Sequence, residues 1–440
     1  MNNSGQKDSR APRIIPRADH TVSRNEISKA ALKVLYRLNK AGYQAFLVGG
    51  CVRDAMLDLH PKDFDVATDA TPDEVRALFD NCRLIGRRFR LAHVRFGREI
   101  IEVATFRAAA VHEADDVAHD EEGRIIRDNV YGSIYEDVWR RDFTCNALYY
   151  NIADFSIWDY VGGVDDIANR RIELIGDADQ RLREDPVRML RAVRFAAKLG
   201  FTISDEVSEA IHRDASLLAN VPAARLFDEF LKLFQAGAAE KTFDLLRHYG
   251  LFAEMFPATD AELEEDPDFE KFVRAALQNT DRRVAEGQSV TPMFLLGVFL
   301  WAPARRLGAD LRATEKMSES QSLSLAAYEL AGQQQRRLSI PRRFTVPMRE
   351  MLALQPRFTQ IRGKRASNLL EHRRFRAAYD FMLLLSEVGQ FDSETARFWT
   401  EVQRESAEQR AKRFQLDAPA KGGRRRRRPR KRRPPAAGQS

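Results

Sequence analysis

The stretch that most constrains this 440-residue chain is residues 46–66, F-L-V-G-G-C-V-R-D-A-M-L-D-L-H-P-K-D-F-D-V. An apolar run predicts a strand that ends at Gly49 and Gly50, and a short amphipathic segment and a turn lead on to Asp63 and Asp65. Because successive side chains of a strand point to opposite faces, we expect both carboxylates on one face and the apolar residues beside them in a core.

This order of features predicts a site for nucleotidyl transfer. Adjacent carboxylates repel each other unless a cation lies between them, and such hard oxygen ligands suit Mg²⁺. Glycines, which have no side chain, let the backbone approach a phosphate closely. Either feature alone is common in ordinary turns and strands. A phosphate-approach loop followed by a carboxylate pair is typical of metal-assisted transfer of a nucleotide.

The composition is that of a globular protein long enough for two or three cores, with 44% hydrophobic and 31% charged residues. No run reaches the roughly 18 apolar residues that span a bilayer, and the N-terminus lacks the apolar core of a secretion signal. The three cysteines are scattered, which favours reduced thiols over a disulfide framework or a zinc site. We therefore predict a cytoplasmic protein without a transmembrane segment.

Basic residues concentrate near the C-terminus. The formal net charge is +7, and residues 421–433 contain ten basic residues and no acidic one, so the first 420 residues carry a charge of −3. A tail of this kind predicts contact with RNA phosphates. The side chains assigned to this contact are Arg424, Arg425, Arg426, Arg427, Arg428, Arg430, Lys431, Arg432 and Arg433.

A second informative stretch is residues 140–150, R-R-D-F-T-C-N-A-L-Y-Y. Read as a helix, it places Asp142 and Asn146 one turn apart on the same face. A guanidinium group from Arg140 or Arg141 suits a phosphate oxygen, and the Asn146 amide suits a ribose hydroxyl. The alternative is an ordinary charged helix start.

The third stretch is residues 183–200, R-E-D-P-V-R-M-L-R-A-V-R-F-A-A-K-L-G. Asp185 predicts the start of a helix and Gly200 its end. Because an aspartate accepts from an exocyclic amine and an arginine donates to ring nitrogens, Asp185 and Arg188 together can read the edge of a base. The alternative is a helix cap followed by solvated arginines.

Two segments lie between these stretches. Residues 84–96 predict a strand and a turn with four arginines, and residues 100–107 predict a strand whose Glu102 is a candidate third acidic residue. Residues 108–123 are acidic and predict a surface loop. The arginines of the first segment that we expect to contact RNA are Arg87, Arg88 and Arg90.

After residue 201 the pattern is helical almost throughout. Residues around 302–322 are mixed and suggest a linker. Residues 372–381, H-R-R-F-R-A-A-Y-D-F, interleave aromatic and basic side chains, which favours RNA contact through Arg373 and Arg374.

Five motifs in this order resemble the family of bacterial poly(A) polymerases and CCA-adding tRNA nucleotidyltransferases. They are L-V-G-G-x-V-R-D, D-F-D-V, E-V-A-T-F-R, R-R-D-F-T-x-N-A and R-E-D-P-V-R-M-L-R-A-V-R-F-A-A-K-L-G. The match is dense over residues 48–201 and looser over the helical remainder. Motifs this long and ordered make chance a poor explanation.

The resemblance implies an α+β fold, with a small mixed-sheet nucleotidyltransferase head of the polymerase-beta type followed by an all-α neck, body and C-terminal region. The expected segments are a disordered N-terminus at 1–24, a catalytic head at 25–180, a neck and body binding base and RNA at 181–310, a helical RNA-binding domain at 323–415, and a disordered arginine-rich tail at 416–440.

The implied activity is transfer of AMP from ATP to RNA 3′ ends of broad sequence range, with two Mg²⁺ ions and without a template. Such an enzyme promotes RNA turnover, so RNA-degradation machinery and RNA chaperones are expected partners.

The resemblance also assigns residues. Asp63 and Asp65 become Mg²⁺ ligands, with Asp142 as the first choice for the third catalytic carboxylate and Glu102 as the second. The residues assigned to the nucleotide are Gly49, Gly50, Arg53, Asp54, Arg107, Arg141, Asn146, Glu184, Asp185, Arg188 and Arg191.

Three features favour the polymerase branch over the CCA-adding branch. They are the arginine-rich residues 84–94, the acidic loop leading to R-D-N-V-Y-G-S-I at 127–134, and the basic tail. A reading of another class is an RNA-binding protein with an inactive head. The intact Asp63 and Asp65 argue against it.

Overall fold

The computed structural model describes residues 11–86, 90–108, 117–119, 125–128 and 130–415. The predicted contacts Arg87 and Arg88, most of the acidic loop, and residues 416–440 lie outside these residues. By its contacts the chain divides into two units: Met1–Glu265 with Ala276–Pro292 and Gly332–Ile340, and Asp266–Ala275 with Met293–Ala331 and Pro341–Ser440.

The first unit is built on a mixed sheet of eight strands in the order β1-β10-β9-β2-β3-β6-β5-β4, in which β3 and β6 are the parallel neighbours. Two short ribbons, β7-β8 and β11-β12, lie apart from it. The strands are β1 Arg13–Ile15, β2 Ala45–Val48, β3 Asp65–Thr68, β4 Cys82–Ile85, β5 Leu91–Phe96, β6 Glu99–Thr105, β7 Val117–His119, β8 Ile125–Asp128, β9 Leu148–Asn151, β10 Ile157–Asp159, β11 Arg171–Ile172 and β12 Thr202–Ile203.

The predicted strand before the glycines is β2, and all four of its side chains are buried. Phe46 packs edge-on to Tyr149 with ring centroids 6.0 Å apart, and Phe106 lies in the same cluster. This core supports the carboxyl end of β2 and the start of β3. The predicted alternation is confirmed there, because Phe64 and Val66 are 7% and 0% exposed while Asp63 and Asp65 face outward.

The helices follow the expected local signals. Thr71 and Glu74 form a reciprocal capping box at the start of α3, and Gly200 ends α7 with φ at +67°. The helices are α1 Lys29–Lys40, α2 Gly50–Met56, α3 Pro72–Leu78, α4 Ile134–Arg140, α5 Gly163–Ala168, α6 Ala178–Glu184, α7 Val187–Leu199, α8 Asp205–Asp214, α9 Ala223–Phe234, α10 Ala239–His248, α11 Leu251–Met255, α12 Pro257–Glu265, α13 Pro267–Ala285, α14 Pro292–Phe299, α15 Trp301–Glu315, α16 Glu319–Gln334, α17 Arg342–Leu354, α18 Gly363–Leu370, α19 Phe375–Glu387, α20 Ser393–Val402 and α21 Ala407–Arg413.

The helix predicted for residues 140–150 is wrong. Helix α4 ends at Arg140, a 3-10 turn spans Thr144–Asn146, and Leu148–Asn151 is strand β9. The strand is held between β2 and β10, and Leu148, Tyr149 and Tyr150 are all 0% exposed. Sheet pairing and burial therefore outweigh local helix propensity here.

The N-terminal disorder predicted through residue 24 is wrong for Arg13–Ile15, which pairs with β10 as the sheet's edge strand. Ile15 and Val22 are 6% and 1% exposed, so even a short apolar segment gains enough burial to be ordered.

The second unit is helical and has two aromatic clusters. Phe381 packs on Phe272, Phe294 and Trp301 with centroid separations of 5.1, 5.8 and 5.3 Å. Trp399 donates from Nε1 to the Phe358 carbonyl at 2.8 Å in the other cluster.

The linker expected around residues 302–322 is wrong, because α15 and the start of α16 occupy most of it. Trp301, Ala302 and Ala304 are buried, and this apolar face makes the segment a packed helix. Within the described residues, no helix has the length and apolar character to cross a membrane.

Candidate active site

A cluster of carboxylates lies where β3 and β6 run side by side. Asp65 is the register partner of Glu102, and Asp63 precedes β3 on the same exposed side. In the part of the chain that the structure describes, neither Asp63 nor Asp65 accepts a hydrogen bond from a side chain. Glu102 lies 3.2 Å from His93 Nε2.

The electrostatics of this cluster disfavour negative charge. Although the residue is exposed, the surrounding protein removes solvent from its carboxylate and raises the pKa of Asp65 to about 6. Glu102 and Asp63 raise this pKa further, and Arg141 opposes them. A cation bound here would relieve that repulsion.

The cluster supplies carboxylate ligands that suit Mg²⁺, but too few side chains to enclose the ion. Among the described residues, no three acidic, histidine or cysteine side chains converge closely enough to hold a metal ion. Mg²⁺ is commonly bound by one or two protein carboxylates, with water and substrate phosphates as its other ligands. Two outward carboxylates without hydrogen-bonded partners are the donor set that such binding needs.

The glycine pair lies beside this cluster, at the start of α2. Gly49 has φ +81° and ψ −139°, a conformation that is strongly disfavoured for every residue with a side chain. A Cβ on Gly49 would lie 3.9 Å from an Arg141 terminal nitrogen and 3.9 Å from the Asn146 carbonyl oxygen. The loop therefore leaves its backbone open next to a guanidinium group.

Arg141 is held rigidly. Its Nε donates to the Tyr149 hydroxyl at 2.8 Å and its terminal nitrogen donates to Asp137 at 3.0 Å. Burial alone would lower the pKa of Arg141, but Tyr149 and Asp137 outweigh it and raise the pKa. Sequence reasoning missed both supporting residues, since Asp137 precedes the second stretch and Tyr149, within that stretch, was assigned no role.

Arg53 is 2% exposed, and its guanidinium group is hydrogen-bonded within the protein. It donates to the Asn146 side-chain oxygen and, through Nε, to Asp54 at 2.8 Å. Its guanidinium carbon lies 5.0 Å from the centre of the Phe195 ring. Arg53 and Asp54 therefore position Asn146 and connect α2 to α7.

Asp142 is paired with Arg191, which donates to it through Nε at 2.6 Å. It also accepts from the Phe143 backbone at 2.8 Å and from Asn146 at 3.4 Å. Burial would raise the pKa of Asp142, but Arg191 outweighs it and lowers the pKa. The predicted proximity of Asp142 and Asn146 is therefore present, although the helix that predicted it is not.

A cavity of about 470 Å³ opens beside Asp142. Six basic and four acidic side chains line it, which leaves a formal surplus of two positive charges. The lining residues are Arg140, Arg141, Asp142, Asp185, Arg188, Arg191, Arg225, Asp228, Glu229 and Lys232. The structure thus brings the second and third sequence stretches together around one charged space.

The two predicted base-reading residues are both in this cavity, and each has a partner. Asp185 accepts from Arg225 at 2.7 Å and from the Val187 backbone at 3.3 Å. Arg188 donates to the Arg181 carbonyl at 2.5 Å, and burial followed by the Arg181 charge lowers the pKa of Arg188.

Seven of the eleven predicted nucleotide contacts are not in the cavity lining. Five of these seven lie in the region of α2 described above: Gly49, Gly50, Arg53, Asp54 and Asn146. The other two are Glu184 and Arg107. Glu184 lies outside the cavity and pairs with Arg181 at 2.8 Å. Arg107 follows β6 and bridges to Tyr131 through its backbone.

Sequence reasoning missed the contribution of α9 to this cavity. Arg225, Asp228, Glu229 and Lys232 recur at the i, i+3, i+4, i+7 spacing of one helix face. This charged stripe was visible in the sequence, but only the fold shows that it faces the arginines of α7.

The predicted RNA contacts in the described residues are engaged elsewhere. Arg90 lies 3.6 Å from Asp73 at the surface. Arg373 and Arg374 both pair with Glu350. The aromatic residues interleaved with them, Phe375, Tyr379 and Phe381, are 7% exposed or less and belong to the core, so they cannot stack on bases.

Comparison with known proteins connects this geometry to a family. Three family models match, described as "Poly A polymerase head domain" at residues 45–173, "Probable RNA and SrmB- binding site of polymerase A" at 200–263 and "Polymerase A arginine-rich C-terminus" at 315–433. Poly(A) polymerase I of Escherichia coli O157:H7 is 50% identical over 380 residues, which cover 85% of this chain and 82% of that protein.

The CCA-adding relatives match less of the chain. The CCA-adding enzyme of Bacillus velezensis is 39% identical over 225 residues, 51% of this chain and 55% of that enzyme. A solved structure, the CCA-adding enzyme of Bacillus stearothermophilus in complex with CTP, is 26% identical with a TM-score of 0.53 and covers 85% of this chain and 82% of its own. These likenesses confirm the predicted head-plus-helices fold.

These comparisons agree with the five motifs and their arrangement. One relative is half identical over most of both chains, and the family models match both the head and the C-terminus. The chain therefore belongs to the bacterial poly(A) polymerase family of nucleotidyltransferases.

Proposed function

We propose that this chain adds AMP from ATP to RNA 3′ ends without a template. The observation that carries the proposal is the outward pair Asp63 and Asp65 beside the open Gly49 loop, in a chain half identical to a poly(A) polymerase over 85% of its length. We place the reaction in the cytoplasm, where it promotes RNA turnover together with RNA-degradation machinery or RNA chaperones.

We assign the metal ligands to Asp63 and Asp65. Glu102 is favoured as the third carboxylate over Asp142, because Glu102 is the register partner of Asp65 whereas Asp142 is neutralised by Arg191. Two Mg²⁺ ions at this site would activate the RNA 3′-hydroxyl and neutralise the triphosphate.

The chain's own residues then orient the nucleotide. The Gly49 backbone admits the triphosphate, and the fixed guanidinium of Arg141 beside it neutralises phosphate charge. We assign Asn146, which is held by Arg53, to the ribose. We assign Asp185 and Arg188, which line the charged cavity, to the base.

We further propose that residues 25–180 form the catalytic head, that 181–310 form the neck and body, and that 323–415 form the RNA-binding region. The two family models at residues 45–173 and 315–433 support the first and last.

The second candidate is CCA addition, which shares the head motifs. It is favoured by curated relatives that match about half of the chain and by a solved structure that is 26% identical to it. The test offers the purified chain an unstructured RNA, and separately a tRNA lacking its last three residues, with labelled ATP or CTP. We expect a long ATP ladder on the unstructured RNA. Addition that stops after C-C-A, on tRNA alone, would overturn the proposal.

A further inference from the structure

We propose that Tyr328 and Arg349 of the second unit form a stacking platform for one unpaired base of the RNA strand. The inference rests on the proposed function for the identity of the ligand, since an acceptor strand has to be held while its 3′ end is extended. The platform is a binding site additional to the nucleotide residues assigned above.

Tyr328 lies on α16 and Arg349 lies on α17. Tyr328 is 57% exposed, an unusual degree for so large an apolar surface, and the Arg349 guanidinium carbon lies 4.5 Å from the centre of its ring. A cavity of about 410 Å³ opens beside the pair. Its lining residues are Met317, Gln321, Ser324, Leu325, Tyr328 and Arg349.

Beyond its contact with the Tyr328 ring, Arg349 is not engaged by the described residues. Its Nε is buried without a hydrogen-bond partner, and no acidic side chain of the described residues forms an ion pair with it. The neighbouring Glu350 pairs with Arg373 and Arg374 instead. One face of the Tyr328 ring is thus covered by a cation, and this charge strengthens stacking of an electron-rich base on the ring.

The cavity also offers a polar group to the edge of a base. The Gln321 side-chain oxygen accepts from the backbone and the hydroxyl of Ser318, at 3.1 and 2.7 Å. Its amide nitrogen therefore points elsewhere and has no partner among the described residues. It can donate to a carbonyl or ring nitrogen of a base.

Charge favours RNA over a protein as the occupant. Residues 341–376 contain ten basic and two acidic residues. Arg342 and Arg343 are exposed on the helix that carries Arg349, and neither forms an ion pair with a described residue. An aromatic ring covered by a guanidinium group, whose helix also carries two exposed arginines, matches the recognition of single strands by stacking and phosphate attraction.

The test is photocross-linking and affinity measurement on the full chain with a 5-iodouridine-substituted, unstructured RNA. We expect a cross-link to Tyr328 in the wild type. Tyr328→Ala should abolish it and weaken RNA affinity about tenfold, whereas Tyr328→Phe, which keeps the ring, should retain both. The matched control is Tyr36→Ala, which removes a tyrosine of similar exposure, 41%, from α1.

The activity readout separates binding from chemistry. Tyr328→Ala should raise the KM for RNA and leave kcat at saturating RNA unchanged. An affinity equal to that of the wild type, or a cross-link that survives Tyr328→Ala, would overturn the inference and leave the surface to a protein partner.

Failure of the proposed function would look different. The wild type would then give no ATP ladder on an unstructured RNA, while the cross-link and the affinity would still decide whether the platform exists.

Discussion

The carboxylate cluster and the charged cavity are both polar, but they differ in whether their charged side chains are paired. At the cluster, Asp63 and Asp65 have no hydrogen-bonded partner in the described residues, and the surroundings raise the pKa of Asp65 to about 6. In the cavity, Asp142 pairs with Arg191 and Asp185 pairs with Arg225. The first region holds like charges that Arg141 offsets only in part, and the second is largely neutralised by its own ion pairs.

This difference indicates which of the two regions depends on a bound ligand to balance its charge. Unrelieved carboxylates lower the stability of the folded chain and gain from a bound cation, which suits a metal-dependent reaction. Paired charges hold their neighbours in place before any ligand arrives, which suits recognition of a base and sugar. Substitutions in the first region should therefore affect chemistry, and substitutions in the second should affect stability and nucleotide affinity.

The largest effect is expected at the carboxylate cluster. Asp63→Asn or Asp65→Asn should reduce AMP incorporation by about 1000-fold or more, because the proposed metal would lose a ligand and with it several kcal/mol of transition-state stabilisation. The free energy of unfolding should stay the same or rise, since repulsion is removed. The measurements are single-turnover incorporation and denaturant unfolding, with Asp73→Asn on α3 as the exposed control. A stable variant with normal incorporation would contradict the assignment.

The next effect separates the two candidates for the third carboxylate. Glu102→Gln should lower kcat about 100-fold and leave stability unchanged, in keeping with the loss of one charge beside the transferring phosphoryl group. Asp142→Asn should instead cost about 2 kcal/mol of unfolding free energy, because Arg191 loses its charged partner at a mostly buried site. Kinetics and unfolding measured on both variants check this, and the reversed pattern would make Asp142 the metal ligand.

A smaller effect is expected at Arg225. Arg225→Met removes the partner of Asp185, whose carboxylate is then free to reorient in the cavity. We expect the KM for ATP to rise about tenfold with kcat within about twofold, since one charge-assisted contact is typically worth 1–3 kcal/mol. Steady-state kinetics with ATP and CTP is the measurement. Arg183→Met, also an exposed arginine near α7, is the control, and an equal effect of both would point to a general loss of charge.

The smallest effect on chemistry should come from the tail, which leaves both regions intact. Deleting residues 421–440 removes ten basic residues, so RNA affinity should fall several-fold and depend less on salt. Stability and kcat at saturating RNA should not change. Titrations at several salt concentrations check the slope, and unchanged affinity at every salt concentration would show that the tail does not contact RNA.

The carboxylate cluster was predictable from sequence because its determinants are local. The breaks at Gly49 and Gly200 and the alternation around Asp65 each depend on neighbours within a few residues. These features and the head-plus-helices fold are confirmed.

The cavity was predictable only in part, because its pairs join distant segments. Nothing local identifies Arg225 as the partner of Asp185 across 40 residues, or Arg191 as the partner of Asp142. The helix predicted around Asp142 was wrong because β9 gains two strand neighbours that no local pattern contains.

The most direct test of the central claim is AMP incorporation by the purified chain on an unstructured RNA, titrated with Mg²⁺ and compared with Asp65→Asn at matched stability. We predict incorporation that requires Mg²⁺ in the wild type and stays at background in the variant at every concentration. Incorporation by the variant at the wild-type rate, or wild-type incorporation that persists in excess chelator, would contradict the claim that Asp63 and Asp65 hold the catalytic metal.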